Sequence, residues 1–311
     1  MKAILYDKKQ SPLKVRTGEI PMPIPNDNEV LIKVIFGCLN AADYRSIQFG
    51  LIGNGNVIGS AVSGVVESVG INIANFKPGD KVFADLADCG FGGFAEFAIV
   101  PEMALAHKPA NTSMEDIVTL PVAAPTALKA LRDKGNIQEG QHVLIVGSAG
   151  GVGSFAIQLA KYYGAKVTAV CSTRNLEQSI VLGADEVIDY TREDFTKGNT
   201  RYDLILAVNG HYPLLGYRRI LKPKGTYVMV GGTMAQIFKS LVFGWMLSLG
   251  GKKMKTLSAK TNSEDLVFVG DLMDRGKIMA VIEKRYPLDQ MEEALAYITK
   301  GHARGKIILE I

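Results

Sequence analysis

VLIVGSAGGVGSFAIQLAK, residues 143–161, is the stretch whose reading decides the fold. An apolar run feeds straight into a glycine-rich turn, and a helix-period pattern follows it. Gly147, Gly150, Gly151 and Gly153 strip side chains from the point where a strand hands over to a helix. Bare backbone N–H groups and the positive helix end can then close on a pyrophosphate, with Ala149, Gly150, Gly151, Val152 and Gly153 as the expected contacts. A second strand, KVTAVC at 166–171, arrives on schedule and lifts the turn above a lone GxGxxG string. Ser148 stands where the first glycine of that fingerprint normally lies, and Gly147 just before it supplies the tight turn. A plain strand–turn–helix with no ligand is the competing reading.

Outward from this turn the chain alternates. Strands are expected at 143–146, 167–171, 186–189, 204–208 and 226–230, with helices at 151–163, 175–182 and 213–221 between them. Strands separated by helical segments argue for a doubly wound parallel sheet. Upstream the texture differs. Short alternating segments at 29–36, 62–69, 81–84 and 93–100, separated by turn clusters such as PMPIPNDN and KPGD, make residues 1–112 read as all-β. A helix opens at Ser113 with Asp116 as a weak capping pattern. After about Lys260 come a helix at 263–276, a short strand at 280–282, another helix and a terminal strand at 306–311. The expected division is therefore a dinucleotide-binding domain at 113–261, with 1–112 and 262–311 forming the second domain.

Composition bounds the function. At 311 residues with 47% apolar content, two domains with conventional cores are expected. The net charge of +4 is spread along the chain, so neither nucleic acid nor an anionic membrane is an expected partner. Cys38, Cys89 and Cys171 lie far apart without CxxC spacing, which fits reduced thiols in the cytoplasm. Cys38 and His107 are expected to be buried or capping residues. The start, MKAILYDKKQ, lacks the pattern of a signal peptide. The apolar stretch around 236–251 carries Lys239 and is too short to span a bilayer, so no stable membrane insertion is expected. Together with a sheet edge it suggests a homodimer.

The end of the second strand selects the dinucleotide. An Asp or Glu about 20 residues past the glycines would accept from ribose hydroxyls. Ser172, Thr173 and Arg174 stand there instead, a set that suits a 2′-phosphate and so NADPH. These residues also fit a loop start that caps the next helix. Tyr190, Asn209, Gly210, Gly231, Gly232 and Thr233 fall at the carboxyl ends of later strands, where open α/β sheets place ligands.

NEVLIKV, GCLNAADYR, SGVVESVG, FKPGDKV, GGFAEFAIV, LPVAAPTALKAL, GSAGGVGSFAIQLAK, AVCS, LGADEVIDY and GHARGKIIL run in order along the chain. On these motifs it resembles the medium-chain dehydrogenase/reductase superfamily. It looks most like the zinc-free quinone oxidoreductase branch, with the reticulon-interacting reductases and chloroplast-envelope homologues. The resemblance implies an α/β fold, a Rossmann doubly wound parallel sheet plus an N-terminal mostly-β GroES-like catalytic domain. The zinc-dependent alcohol dehydrogenases of that superfamily carry a Cys ahead of an Asp, and a Gly-His-Glu. Here Asn40 precedes Asp43 and the second motif reads Gly59-Ser60-Ala61. Catalytic zinc takes three protein N, S or O ligands, so no metal is expected.

Without a Lewis acid, substrates that accept hydride readily are favoured: quinones, and alkenes conjugated to a carbonyl. The resemblance places Asn40 at the nicotinamide, Thr126 near its carboxamide, and His302, Ala303 and Arg304 against the cofactor. Tyr44 is the best candidate for a proton or hydrogen-bond donor, and equally reads as an aromatic packed under the loop. Asp43 reads more readily as structural than catalytic. The expected activity is thus a zinc-independent, NADPH-dependent reduction of quinones or α,β-unsaturated carbonyls. The alternatives are a reductase of simple aldehydes or ketones, and an NADPH-binding sensor or scaffold with little turnover.

Overall fold

A computed structural model describes residues 1–9, 14–53, 55–232, 248, 251–260 and 262–311. The chain divides into two compact units, Met1–Pro125 with Lys260–Ile311, and Thr126–Ala259. The first unit begins with β1 (Lys2–Tyr6), β2 (Val15–Glu19), β3 (Glu29–Leu39), β4 (Ala61–Val69), β5 (Lys81–Asp85), β6 (Phe97–Pro101) and β7 (Leu105–His107). The second contributes β8 (His142–Val146), β9 (Lys166–Cys171), β10 (Glu186–Asp189), β11 (Tyr202–Ala207), β12 (Leu221–Met229) and β13 (Lys253–Thr256). The chain then returns to the first with β14 (Ile282–Pro287) and β15 (Lys306–Glu310).

In the second unit the strands form one sheet in the order β10-β9-β8-β11-β12-β13, every pair parallel. Parallel strands covered on both faces read as continuous apolar runs. His142–Val146 and Lys166–Cys171 are buried from their second residue onward. The helix after the glycine turn spans Gly151–Tyr162 and buries Phe155, Ile157, Leu159 and Ala160. The alternation expected from sequence holds, with β12 beginning at Leu221, upstream of the expected 226.

The first unit holds a seven-stranded sheet, β14-β15-β3-β4-β5-β7, with β6 also paired to β3, and a two-stranded ribbon of β1 and β2. The C-terminal strand does return to it. Ile307, Ile308, Leu309 and Glu310 of β15 lie antiparallel to Leu39, Cys38, Gly37 and Phe36 of β3. Three expectations need correction. Residues 1–112 are not all-β, because α1 (Ala41–Gln48) follows β3 directly. The short strand expected at 280–282 forms instead as β14, which pairs parallel to β15. His107 is exposed, with its Nε2 3.0 Å from the Asn75 carbonyl and its ring stacked on Phe76. Ser113 caps the next helix, accepting from the Asp116 N–H at 2.9 Å. Residues 113–125 group with the first unit, held by Ser63 Oγ to the Met114 carbonyl (2.8 Å) and the Val122 N–H to Asp85 Oδ2 (3.0 Å).

Candidate functional site

Because the six described strands of the second unit run parallel, their carboxyl ends share one edge, where such sheets bind ligands. Tyr190 follows β10, Ser172, Thr173 and Arg174 follow β9, and the glycine turn follows β8. Asn209 and Gly210 follow β11, and Gly231 and Gly232 follow β12. The chain moves outward from β8 in both directions, which makes it the switch point of the sheet. Thr233 lies outside the described residues, as does nearly all of the apolar stretch around 236–251.

The turn is built by two constraints. Gly147 has φ +83°, and its N–H and that of Ser148 reach the Val170 carbonyl at 3.1 and 3.2 Å. Ser148, fully buried, turns its hydroxyl inward to the Val170 carbonyl (3.3 Å) and Ser179 Oγ (3.1 Å). Its side chain thus braces the turn against β9. Gly153 is required by close approach, because a Cβ there would stand 2.2 Å from the Gly147 carbonyl oxygen and 2.7 Å from Ser148 Cα. Gly150 caps the Gly151–Tyr162 helix, whose first turn carries no acidic residue. First-turn N–H groups have no intrahelical partner, so Gly151, Val152 and Gly153 present donors suited to a pyrophosphate. Asn209 adjoins Gly147, and the Gly210 N–H bonds the Gly231 carbonyl at 3.2 Å.

At the end of β9, Ser172 Oγ accepts from Asn175 Nδ2 at 3.1 Å. Thr173 Oγ1 donates to Asp189 Oδ2 and lies 3.2 Å from Thr191 Oγ1. Sequence reasoning looked for an acid only at the end of the second strand; Asp189 ends the third, in register with Cys171. Hydrogen bonds from Thr173 and Thr191 hold its carboxyl below the ordinary range, and the Arg192 guanidinium stands 3.4 Å away. Thr173 is therefore committed to Asp189. Arg174 and Tyr190 are exposed at the same edge.

The first unit carries a buried polar cluster around Asn40, the residue that caps α1. Its backbone N–H donates to Asp43 Oδ2 at 2.7 Å. Its Nδ2 donates to the Cys38 carbonyl (3.0 Å) and to Ser60 Oγ (3.2 Å), and its Oδ1 accepts from Lys306 Nζ. Asn40 is 6% exposed, Lys306 2%, and Cys38, Asp43 and Ser60 are fully buried. Burial pushes the Asp43 carboxyl up to about 7 against the pull of the Asn40 N–H, Ser60 and Lys306. Its Oδ1 has no partner at hydrogen-bonding geometry, although Ser60 lies near enough to lower its pKa. Burial likewise raises the Cys38 thiol. Tyr44 is half-buried against the core formed by Ile4, Leu39 and Ile47.

The remaining expected residues are dispersed. Thr126 opens the second unit, half-buried on the Ala123–Lys129 helix. His302 is exposed and Ala303 packs on the same core as Tyr44. The Arg304 N–H donates to Glu283 Oε2 at 2.6 Å, and Glu283 Oε1 accepts from the Tyr297 hydroxyl at 2.8 Å. Ser60 and Ala61 stand where the zinc-dependent pattern would carry ligands, and an ammonium already occupies the Asn40 oxygen. The set around Asn40 holds one amide, one hydroxyl, the Cys38 thiol and the Asp43 carboxyl beside the buried Lys306 ammonium, whose charge opposes a divalent cation. Among the described residues no group of three or more His, Cys, Asp or Glu is placed to hold a metal. Sequence reasoning missed Lys306; its one signal was a charged residue heading the apolar strand KIILE.

Two family descriptions match the chain: an alcohol dehydrogenase GroES-like domain at residues 26–110, and a zinc-binding dehydrogenase at 182–309. A chloroplast envelope quinone oxidoreductase homolog of Arabidopsis thaliana is 33% identical, over 94% of this chain and 92% of its own. A mitochondrial NAD(P)H oxidoreductase of Mus musculus is 35% identical, over 82% of this chain and 70% of its own. The solved quinone oxidoreductase of Coxiella burnetii superimposes with a TM-score of 0.88 at 28% identity, covering 100% of this chain and 99% of its own. No helix among the described residues is long and apolar enough to cross a membrane.

Proposed function

Because the chain belongs to the medium-chain dehydrogenase/reductase superfamily and is an NAD(P)H-dependent oxidoreductase of that type, we propose that it reduces quinones or α,β-unsaturated carbonyls with NADPH and without a metal. The cofactor would lie along the carboxyl edge of the parallel sheet. Its pyrophosphate would meet the N–H groups of Gly151, Val152 and Gly153, with Gly150 leaving the approach clear and Ala149 beside it as a further contact. Ser172, Arg174 and Tyr190 would hold a 2′-phosphate, while Thr173 steadies the loop through Asp189. Asn209, Gly210, Gly231 and Gly232 would flank the nicotinamide half, with Thr126, His302, Ala303 and Arg304 as further cofactor contacts. Bound NADPH would supply a hydride.

Asn40 carries most of this reading. At the position of a metal ligand the chain has an amide whose oxygen is already bonded to an ammonium. Asn40 Oδ1 keeps a second lone pair, with which it would accept from a ribose hydroxyl. Charge arriving on a substrate oxygen then has to be met by hydrogen-bond donors. Tyr44 is the proposed donor and proton source. A quinone or an enone suits such a site, because its conjugated system spreads the negative charge before any proton arrives.

The free cysteines accord with a reducing compartment such as the cytoplasm, and we place the protein there as a homodimer. The test is a substrate panel: purified protein with NADPH and, separately, a quinone, an enone and a saturated aldehyde, followed at the reduced-nicotinamide absorbance. Oxidation with the quinone or the enone is expected. Oxidation with the aldehyde alone overturns the substrate class, and binding without oxidation of any points to a cofactor sensor.

A further inference from the structure

A buried ammonium bonded to an amide oxygen, with no carboxylate within ion-pair distance among the described residues, is an expensive arrangement. Lys306 is 2% exposed and heads a strand that is otherwise buried and apolar through Leu309. A methionine there would keep the stem volume and spare the desolvation of a charge. The ammonium therefore calls for a purpose other than holding the sheet together.

Its geometry supplies one. An amide side chain is ambiguous about its own orientation, because oxygen and nitrogen can exchange places by a flip. An ammonium carries donors only, so the Asn40 atom it touches must be the oxygen. The nitrogen then faces the Cys38 carbonyl and Ser60 Oγ, both able to accept. Ser60 accepts from Asn40 and so is left with its own hydrogen to place on the Asp43 side of the cluster, where it lowers that carboxyl's pKa. The chain of polarity thus runs from a buried cation, through Asn40 and Ser60, toward a buried carboxyl. A flipped amide would set its NH2 against the ammonium and its oxygen against the Cys38 carbonyl, two repulsive contacts in a buried site.

We propose that Lys306 is a positioning residue for the reductase site: it locks the Asn40 amide in one orientation and polarises it, so that Asn40 meets cofactor and substrate with a fixed pattern of hydrogen-bonding atoms. This rests on the assignment of Asn40 under the proposed function. The role is specific to the ammonium, not to the bulk of the side chain, and Lys306 itself touches neither cofactor nor substrate.

The test is a double-mutant cycle with Asn40→Ala, Lys306→Met and the combined variant, joined to nitrogen-15 spectra of the asparagine side-chain amides. The Asn40 signals are identified by their loss in Asn40→Ala. Lys306→Met is expected to lower kcat at least about tenfold, to raise the KM for NADPH no more than Asn40→Ala does, and the combined variant to lose no more kcat than Asn40→Ala alone. The Asn40 amide protons, buried and hydrogen-bonded, are expected to exchange slowly in the parent protein and at least about tenfold faster in Lys306→Met. Lys306→Gln, which keeps a polar tip but no charge, is the second variant should Lys306→Met not fold, and the same outcomes apply to it. Multiplicative losses in kcat, or unchanged amide protection, overturn the inference. A parent-like kcat in Asn40→Ala refutes instead the role given to Asn40, and the amide exchange still decides whether Lys306 locks it.

Discussion

Alanine placed separately at Gly150 and Gly153 divides what the glycine turn does for the fold from what it does for a ligand. At Gly153 the added Cβ would stand 2.2 Å from the Gly147 carbonyl oxygen and 2.7 and 2.8 Å from Ser148 backbone atoms, against 3.4 Å or more for an ordinary contact. No side chain can rotate away, so the Gly147 carbonyl must retreat by roughly 1 Å, in a residue whose N–H is tied to Val170. Overpacking of this kind costs about 1–3 kcal/mol, and rigid backbone on both sides puts it near the top of that range. A melting midpoint lower by about 5–10 °C is expected, together with NADPH affinity reduced up to about a hundredfold as the cradle opens. At Gly150 the backbone angles of −78° and 176° suit alanine, and the nearest atom to a new Cβ is 3.9 Å away. Replacing a glycine cap by alanine costs about 0.5–1 kcal/mol, and restricting the unfolded chain returns about 0.4–1 kcal/mol. Gly150→Ala should therefore melt within about 2 °C of the parent yet bind NADPH at least about tenfold more weakly, because the methyl intrudes on the approach reserved for the pyrophosphate. Fluorescence titration with NADPH and a thermal melt on each variant read both quantities. Parent-like affinity in Gly150→Ala would refute the cradle, and a parent-like melt in Gly153→Ala would refute the steric argument.

Other consequences follow from individual side chains. Burial lifts the Asp43 carboxyl from 3.8 to about 7, so the folded chain holds a proton that the unfolded chain releases. That stabilisation is complete below about pH 4 and is lost as pH rises through about 7, at up to about 1.4 kcal/mol per pH unit. Denaturant unfolding should show the parent losing stability relative to Asp43→Asn across this window, and a constant difference contradicts the assignment. Arg174→Ala should weaken NADPH binding about tenfold to a hundredfold, the worth of one charged hydrogen bond, and leave NADH within about twofold; equal losses for both cofactors exclude a phosphate contact. Asp85 accepts from the Val122 and Ala87 N–H groups, both at 3.0 Å. Asp85→Ala strands these donors at about 1–3 kcal/mol each, and an unchanged melting midpoint would contradict that.

The parallel sheet was legible because its signals are local. Apolar runs such as HVLIV and the glycines after them report on neighbours a few residues away. The α1 helix escaped notice because AADYRSIQ is short, follows a strand without a break and starts on Asn40, a residue equally at home in a turn. Lys306 was illegible for a different reason. It meets Asn40 across 266 residues of sequence, through the pairing of β15 with β3, and no local pattern announces that contact. Asp189 shows the same limit at shorter range. The absence of an acid after β9 is true of the sequence, but parallel pairing brings the acid of β10 to Thr173, whose hydroxyl donates to it. Local chemistry could thus propose the cofactor edge, whereas the partners that orient its residues needed the fold.

Metal dependence tests the central claim most directly. Protein stripped with a chelator, its residual zinc measured, is assayed for NADPH oxidation with the best quinone or enone and then titrated with zinc. Full activity at far less than one metal ion per chain, with no gain on adding zinc, is the predicted result. Activity that rises in proportion to bound zinc would contradict the account.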